Sequence, residues 1–206
     1  MKAPVTYIEE FVSDPAKKFT RLWEELNWED RTARRREYWT NVLERSYTYG
    51  SGEGARTYDP QGSHPVIEEV TDVLEALLGF RYEACFLNGY ETGKNALSWH
   101  ADDDPGIDHS KPIAIVTLYD ASVNPVVIKE TKQGSVISPS KPGAAARAIQ
   151  FKPMTGDKNT VETLSLAQGS LALMLPGMQD THFHQIPNAG GYTTRPRISL
   201  TFRALK

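Results

Sequence analysis

The chain has 206 residues, enough for one ordinary domain, and its 39% hydrophobic and 10% aromatic content can build a buried core, which excludes disorder as its overall state. A formal charge of −3 excludes a histone-like protein held to nucleic acid by bulk charge, and leaves room only for a local basic patch. A single cysteine, Cys85, excludes a disulfide framework and a multi-cysteine zinc site. The opening MKAPVTYIEEF lacks the apolar run of a signal peptide, and no stretch approaches the roughly 20 apolar residues of a membrane span. The expectation is a soluble, reduced, cytoplasmic protein with no membrane partner.

In chain order, Asp14-Pro15 supplies an N-cap and a proline at the first helical position, and Phe19, Leu22, Trp23 and Leu26 follow at helical spacing. A second helix is predicted from Pro65, with Val66, Ile67, Val70, Val73, Leu74, Leu77 and Leu78 as its apolar stripe and Gly79 as its stop. Between them lie the basic and aromatic RTARRREYW and then SYTYGSGEGARTYDPQGSH, where Tyr47 and Tyr49 alternate like a strand face and the glycines suggest a turn or loop.

From residue 81 the pattern changes to short strands separated by Gly, Pro, Asp and Asn. They are predicted at ACFLNGY, IAIVTLYD, PVVIKET, GSVISP, RAIQFKP, TVETLSL, SLALMLP and RISLTFRAL. Short strands after a helical preface predict an α+β, mainly β chain, a sandwich or barrel flanked by N-terminal helices. We divide it into a helical N-terminal extension over 1–80 and a β core over 81–206, within a single domain. The stretch SPSKPGAAARAIQFKPMTGDKNT reads as loop-rich.

The sharpest local feature is Ser98-Trp99-His100-Ala101-Asp102-Asp103-Asp104. An imidazole and a carboxylate two residues apart on an extended segment point the same way and can take adjacent positions on one metal ion. A third ligand would complete a 2-His-1-carboxylate face with open positions, the arrangement of non-haem Fe(II) oxygenases. THFHQIP offers His182 and His184, which share a strand face, so spacing alone does not choose between them. His64 and His109 sit in loop contexts and read as solvated. Arg197 and Arg203, with Ser199 between them, share one face of a strand, and two inward arginines need an anion to pair with; a dicarboxylate offers two.

Taken together, Asn88-x-Tyr90, His100-x-Asp102, His184 before Gln185-Ile186-Pro187, and Arg197-ISLTF-Arg203 resemble the AlkB-type 2-oxoglutarate- and Fe(II)-dependent dioxygenases over roughly residues 46 to 206. The resemblance implies a double-stranded β-helix (jelly-roll) core, with Fe(II) held by His100, Asp102 and His184 and with 2-oxoglutarate as cosubstrate. It places Arg203 and Asn88 at the near end of that ketoacid and Arg197, Tyr90 and Ser199 at its far carboxylate. It makes residues 31–63 a substrate lid in which Tyr47 and Tyr49 stack on an unstacked base, and puts Asp104 beside that base's exocyclic amine. Arg31, Arg34, Arg35 and Arg36 upstream suit phosphate.

The implied activity is oxidative demethylation of N-alkylated DNA or RNA bases, of the DNA repair type, by a monomer. The alternatives are the same chemistry on a protein side chain or unusual base carbon, and a catalytically silent nucleic-acid-binding relative. Asp102→Ala is expected to remove iron binding and leave the fold.

Overall fold

Strand alternation sorts the apolar side chains of this protein into two layers, and the layers set the architecture. The structure, a computed structural model, describes residues 2–32, 35–50, 52–123, 126–131, 134–139, 147–157, 159–189, 192–193 and 195–206; of residues 31–32, 52, 126–131, 134–139 and 192–193 it describes the backbone alone. In chain order the elements are β1 (Val5–Ile8), α1 (Pro15–Glu25), β2 (Glu29–Thr32), β3 (Arg35–Asn41), β4 (Tyr47–Tyr49), β5 (Arg56–Tyr58), α2 (Pro65–Leu78), β6 (Ala84–Tyr90), β7 (Leu97–His100), β8 (Ile113–Tyr119), β9 (Val126–Thr131) and β10 (Gly134–Pro139). They continue with β11 (Ala148–Pro153), β12 (Glu162–Ser165), β13 (Leu171–Met174), α3 (Met178–Thr181), β14 (His182–Ile186), β15 (Tyr192–Thr193) and β16 (Arg197–Arg203).

A seven-stranded sheet runs β1-β13-β8-β16-β6-β3-β2 and a four-stranded sheet runs β12-β11-β14-β7. Strands β6, β8, β13 and β16 of the first and all of the second form a jelly-roll. Two smaller sheets, β10-β9-β15 and β4-β5, stand apart from these. On β16, Ile198, Leu200 and Phe202 face one way and Arg197, Ser199, Thr201 and Arg203 the other, and all seven are buried. The apolar set meets α1 and α2 through Leu22, Val70 and Leu74. The polar set faces the inside of the roll, where Tyr90, Ile115 and Met174 of the large sheet pack with Ile149, Phe151 and Ile186 of the small one. No α-helix among the described residues is long and apolar enough to cross a membrane.

The predicted helices form, with two differences at their starts. Asp14 sits in the left-handed region (φ 47°) and its side chain makes no cap bond, so Pro15 alone marks that start. At α2 the cap is His64, read from sequence as solvated: it is 8% exposed, its Nδ1 accepts from the Val66 N–H at 3.1 Å, and its Nε2 lies 2.8 Å from Glu25 Oε2. Gly79 closes α2 in the left-handed region (φ 76°), as its place after the apolar stripe predicts.

The N-terminal part is more than a helical extension. β1 pairs with β13, and β3 pairs with β6 over Arg36↔Gly89 to Asn41↔Ala84, so residues before 80 complete both edges of the large sheet. Of the described strands before residue 80, β4 and β5 lie outside that sheet. Within the loop-rich stretch the strand predicted at RAIQFKP forms as β11, paired on both sides; residues 140–146 lie outside the described residues.

Gly89 sits between Asn88 and Tyr90 with its Cα facing α1. A Cβ there would lie 3.0 Å from Trp23 Cζ3 and 3.2 Å from Arg36 Cβ, and Trp23 is itself stacked on Phe19 at 5.2 Å. Gly89→Ala is expected to lower stability by about 1–3 kcal/mol through overpacking, read as a lower thermal midpoint.

Candidate active site

The register of β14 against β7 sets His184 directly opposite His100. His182 and His184 share the buried side of β14, but His182 lies level with Pro153 and its Nδ1 meets Thr181 Oγ1 at 2.9 Å. His184 instead joins His100 and Asp102, and the potential ligand atoms of these three all lie within 4.8 Å of one another. The rings of His100 and His184 are 4.1 Å apart.

Neighbouring groups hold the triad in place. His100 Nδ1 lies 2.8 Å from the Ser98 carbonyl, which can only accept, so this nitrogen carries the proton and Nε2 keeps its lone pair. The Asp102 N–H donates to Gln179 Oε1 at 2.8 Å, and Arg203 Nη2 donates to Asp102 Oδ1 at 2.9 Å. Burial alone would raise the Asp102 carboxyl, but Arg203, His184 and His100 together hold it well below the ordinary carboxylate range. Burial, then the nearby His100, pushes His184 down to about 3, and burial also lowers His100. Two neutral imidazoles and one ionised carboxylate are therefore ready to hold a divalent metal. The buried His184 Nδ1 has no hydrogen-bond partner among the described residues.

Beyond the triad, the inner face of β16 carries two guanidiniums with spare donors. Arg197, fully buried, donates from Nη2 to Thr117 Oγ1 at 3.2 Å and Ser199 Oγ at 3.3 Å, leaving Nε and Nη1 without partners among the described residues. Arg203 uses Nη2 on Asp102 and likewise leaves Nε and Nη1 unpaired. Tyr90 pairs with Arg197 across the strands, its ring 5.2 Å below that guanidinium, and Asn88 pairs with Ser199. Buried unpaired donors are costly, and an anion with carboxylates at both ends would satisfy them. The donor set therefore fits both a metal ion and 2-oxoglutarate.

Around this pocket the expected rim residues separate. Tyr49 stands edge-on to His100 with ring centres 6.2 Å apart. Tyr47 packs among Trp39 (5.1 Å), Phe86 (5.8 Å) and Tyr58 (6.4 Å), and burial raises its hydroxyl to about 12. Asp104, Tyr47 and Arg203 line a cavity of about 90 Å³, and Asp104 Oδ1 accepts from the Gly106 N–H at 2.7 Å. Arg35 departs from the expected surface phosphate contact: it is 9% exposed, donates from Nε to Asn88 Oδ1 at 2.6 Å and pairs with Glu37 at 2.6 Å. Arg36 pairs with Glu91 at 2.7 Å and covers Trp23. Arg34 and the Arg31 side chain lie outside the described residues.

Three participants escaped the sequence reading: Gln179, Glu37 and Arg147. Arg147 is 2% exposed, donates to the carbonyls of Thr92 (2.9 Å), Asn95 (2.5 Å) and Pro187 (3.0 Å), and lies 5.4 Å from the Tyr90 ring. It ties the loop after β6 to the end of β14, and no local motif announces a residue whose partners are all backbone carbonyls.

The Arg203 contact corrects the expectation that Asp102→Ala leaves the fold intact. That change removes a metal ligand and strands a buried guanidinium, so we expect loss of Mn(II) binding together with about 3–5 kcal/mol of stability, read by calorimetric titration and melting. Protonation acts in the same sense. In the unfolded chain a histidine takes its proton near pH 6.5, whereas folded His184 does so only near 3. The unfolded state then binds more protons as pH falls, and the metal-free protein is expected to melt lower at pH 5 than at pH 7.

Comparison with known proteins agrees with this geometry. The model of the 2OG-Fe(II) oxygenase superfamily matches residues 6–203. The chain is 28% identical over 173 residues to the DNA oxidative demethylase ALKBH2 of Homo sapiens, covering 81% of this chain and 58% of that protein. It is 23% identical over 202 residues to the alpha-ketoglutarate-dependent dioxygenase alkB homolog 3 of Homo sapiens, covering 90% of this chain and 59% of that protein. The chain thus spans somewhat under two thirds of the length of these relatives. Among solved structures, a Pseudomonas putida prolyl-4-hydroxylase superposes with a TM-score of 0.55 at 15% identity, covering 100% of this chain and 95% of that one. OsALKBH1 gives 0.56 at 12%, covering 98% and 99%; both similarities speak to fold alone. With a metal-ready triad gathered at the paired strands β7 and β14 and the superfamily's pattern running over almost its entire length, this chain belongs to the 2OG-Fe(II) oxygenase superfamily.

Proposed function

We propose that this protein oxidatively demethylates N-alkylated nucleic-acid bases, using Fe(II) and 2-oxoglutarate. The observation that carries the reading is the juxtaposition of His100, Asp102 and His184 with the unpaired buried donors of Arg203 and Arg197. The named activities of the ALKBH2 and alkB homolog 3 relatives favour a nucleic-acid base over other substrates.

Iron with 2-oxoglutarate and O2 supplies, when bound, the oxidising power to hydroxylate an unactivated C–H bond, with release of succinate and CO2. The chain's own residues do the positioning. Arg203 and Asn88 receive the near end of the ketoacid, and Arg197, Tyr90 and Ser199 receive its far carboxylate through bidentate geometry. Tyr49, edge-on to His100, offers an aromatic wall for an unstacked base. Asp104 keeps Oδ2 to accept from an exocyclic amine while Oδ1 is held by the Gly106 N–H. Hydroxylation of an N-methyl group gives an N-hydroxymethyl base, which loses formaldehyde and leaves the N–H.

The test is anaerobic loading with Fe(II), then O2, with succinate and formaldehyde measured in the presence and absence of oligonucleotides carrying 1-methyladenine or 3-methylcytosine. Succinate stimulated by the methylated strand, with matching formaldehyde, is the expected result. Succinate indifferent to every oligonucleotide would move the substrate to another class, and no succinate at all would leave a binding protein. Arg197→Ala is expected to raise the 2-oxoglutarate requirement about tenfold or more, the cost of a charged hydrogen-bond partner, with Mn(II) affinity retained.

A further inference from the structure

A continuous polar chain runs from the β4–β5 hairpin to the carboxylate pocket through residues that neither the metal nor the ketoacid touches. Tyr58, at the end of β5, donates its hydroxyl to Glu37 Oε2 at 2.9 Å. Glu37 is fully buried, and its other oxygen pairs with Arg35 Nη2 at 2.6 Å. Arg35 then donates from Nε to Asn88 Oδ1 at 2.6 Å. Burial, followed by the charge of Glu37, raises the Tyr58 hydroxyl to about 12, so it stays a donor.

The chemistry of this chain is directional. A guanidinium carries donors only, so it must face the carbonyl oxygen of Asn88 and never its NH2 group. With Oδ1 turned to Arg35, the Asn88 amide presents its NH2 donors on the other side, the polarity that a carboxylate needs. Without Arg35 the amide could rotate by half a turn and present its oxygen to the anion instead. A buried Arg–Glu pair is weak evidence of a stabilising device, because desolvation offsets most of its attraction; a positional role accounts for its presence inside the sheet.

We propose that Tyr58, Glu37 and Arg35 form a positioning relay that holds the Asn88 amide with its donors toward the cosubstrate and couples the β4–β5 hairpin, which carries Tyr49, to cosubstrate binding. This rests on the assignment of the pocket to 2-oxoglutarate given above. Ordering the ketoacid end fixes Asn88, which fixes Arg35 and Glu37, which hold Tyr58 and hence the hairpin beside His100. The coupling is reciprocal: loosening the hairpin weakens the cosubstrate.

The experiment titrates 2-oxoglutarate into the full chain loaded with Mn(II) without O2, and follows amide hydrogen exchange of residues 47–58 with and without the ketoacid. Tyr58→Phe removes one hydroxyl outside the pocket and keeps the aromatic packing; Arg35→Lys keeps the charge and loses the fork. Both are expected to weaken 2-oxoglutarate about three- to tenfold, the worth of one oriented hydrogen bond, with Mn(II) affinity unchanged. In the wild type 2-oxoglutarate is expected to slow hairpin exchange, and in Tyr58→Phe that ligand-dependent slowing is expected to vanish. A purely structural role would speed exchange equally with and without ligand. Wild-type 2-oxoglutarate affinity in both variants, or ligand-dependent slowing retained in Tyr58→Phe, overturns the relay alone. A wild-type chain that binds Mn(II) but no 2-oxoglutarate overturns the pocket assignment and the relay with it.

Discussion

The site depends on an imbalance of charge buried inside the roll. Among the described residues, Arg35, Arg147, Arg197 and Arg203 lie buried around it, against two buried carboxylates, Glu37 and Asp102. Four cations against two anions leave two positive charges uncompensated within the fold. Glu37 answers Arg35 and Asp102 answers Arg203, but Arg197 has only neutral hydroxyls and the Tyr90 ring. Such an interior is expensive unless an anion enters it. The expense therefore belongs to binding: an anion beside Arg197 would offset it there, and the same Arg203 that would receive the anion's other end keeps Asp102 ionised.

The metal side follows the opposite rule. His100 and His184 are brought together by strand register, and burial keeps them neutral. Neutral imidazoles beside a buried carboxylate leave a net negative ligand set, which suits a divalent cation and would repel a second anion. One wall of the pocket is thus suited to a cation and the other to an anion, with Arg203–Asp102 as the hinge between them. That division fixes which way round a ketoacid could lie.

Much of this was legible in the sequence because it depends on alternation. Arg197-x-Ser199-x-x-x-Arg203 puts its residues on one face of one strand, and period-two geometry needs no tertiary information; in His100-x-Asp102 the strand β7 ends at His100, and Asp102 just beyond it is held by Gln179 and Arg203. The helices were legible for the same reason, their stripes being local. What failed was compensation across strands. β3 reads as a basic, aromatic linker because Arg35 and Glu37 look like surface residues; they are buried only because Asn88 and Tyr58 supply partners from elsewhere in the chain. His64 looked solvated because its cap partner is a backbone N–H and its other partner, Glu25, sits on α1. Asp14 failed as a cap because its own backbone turned left-handed, which no composition rule anticipates.

The distribution of these residues also locates substrate choice. His100, His184, Arg197 and Arg203 stand on strands of the two main sheets, with Asp102 just past the end of β7, in a frame similar enough to a prolyl-4-hydroxylase to superpose at 15% identity. A frame shared at that distance is a fold, and a fold does not encode which molecule is bound. Outside the two main sheets lie the β4–β5 hairpin and the small β10-β9-β15 sheet. Of these the hairpin places an aromatic ring against a metal ligand while its base is tied into the cosubstrate side through Glu37. On the proposed relay, a segment set between the metal ligands and the ketoacid pocket would make acceptance of a base conditional on the presence of the ketoacid, so that oxidising power would be generated where there is a base to receive it.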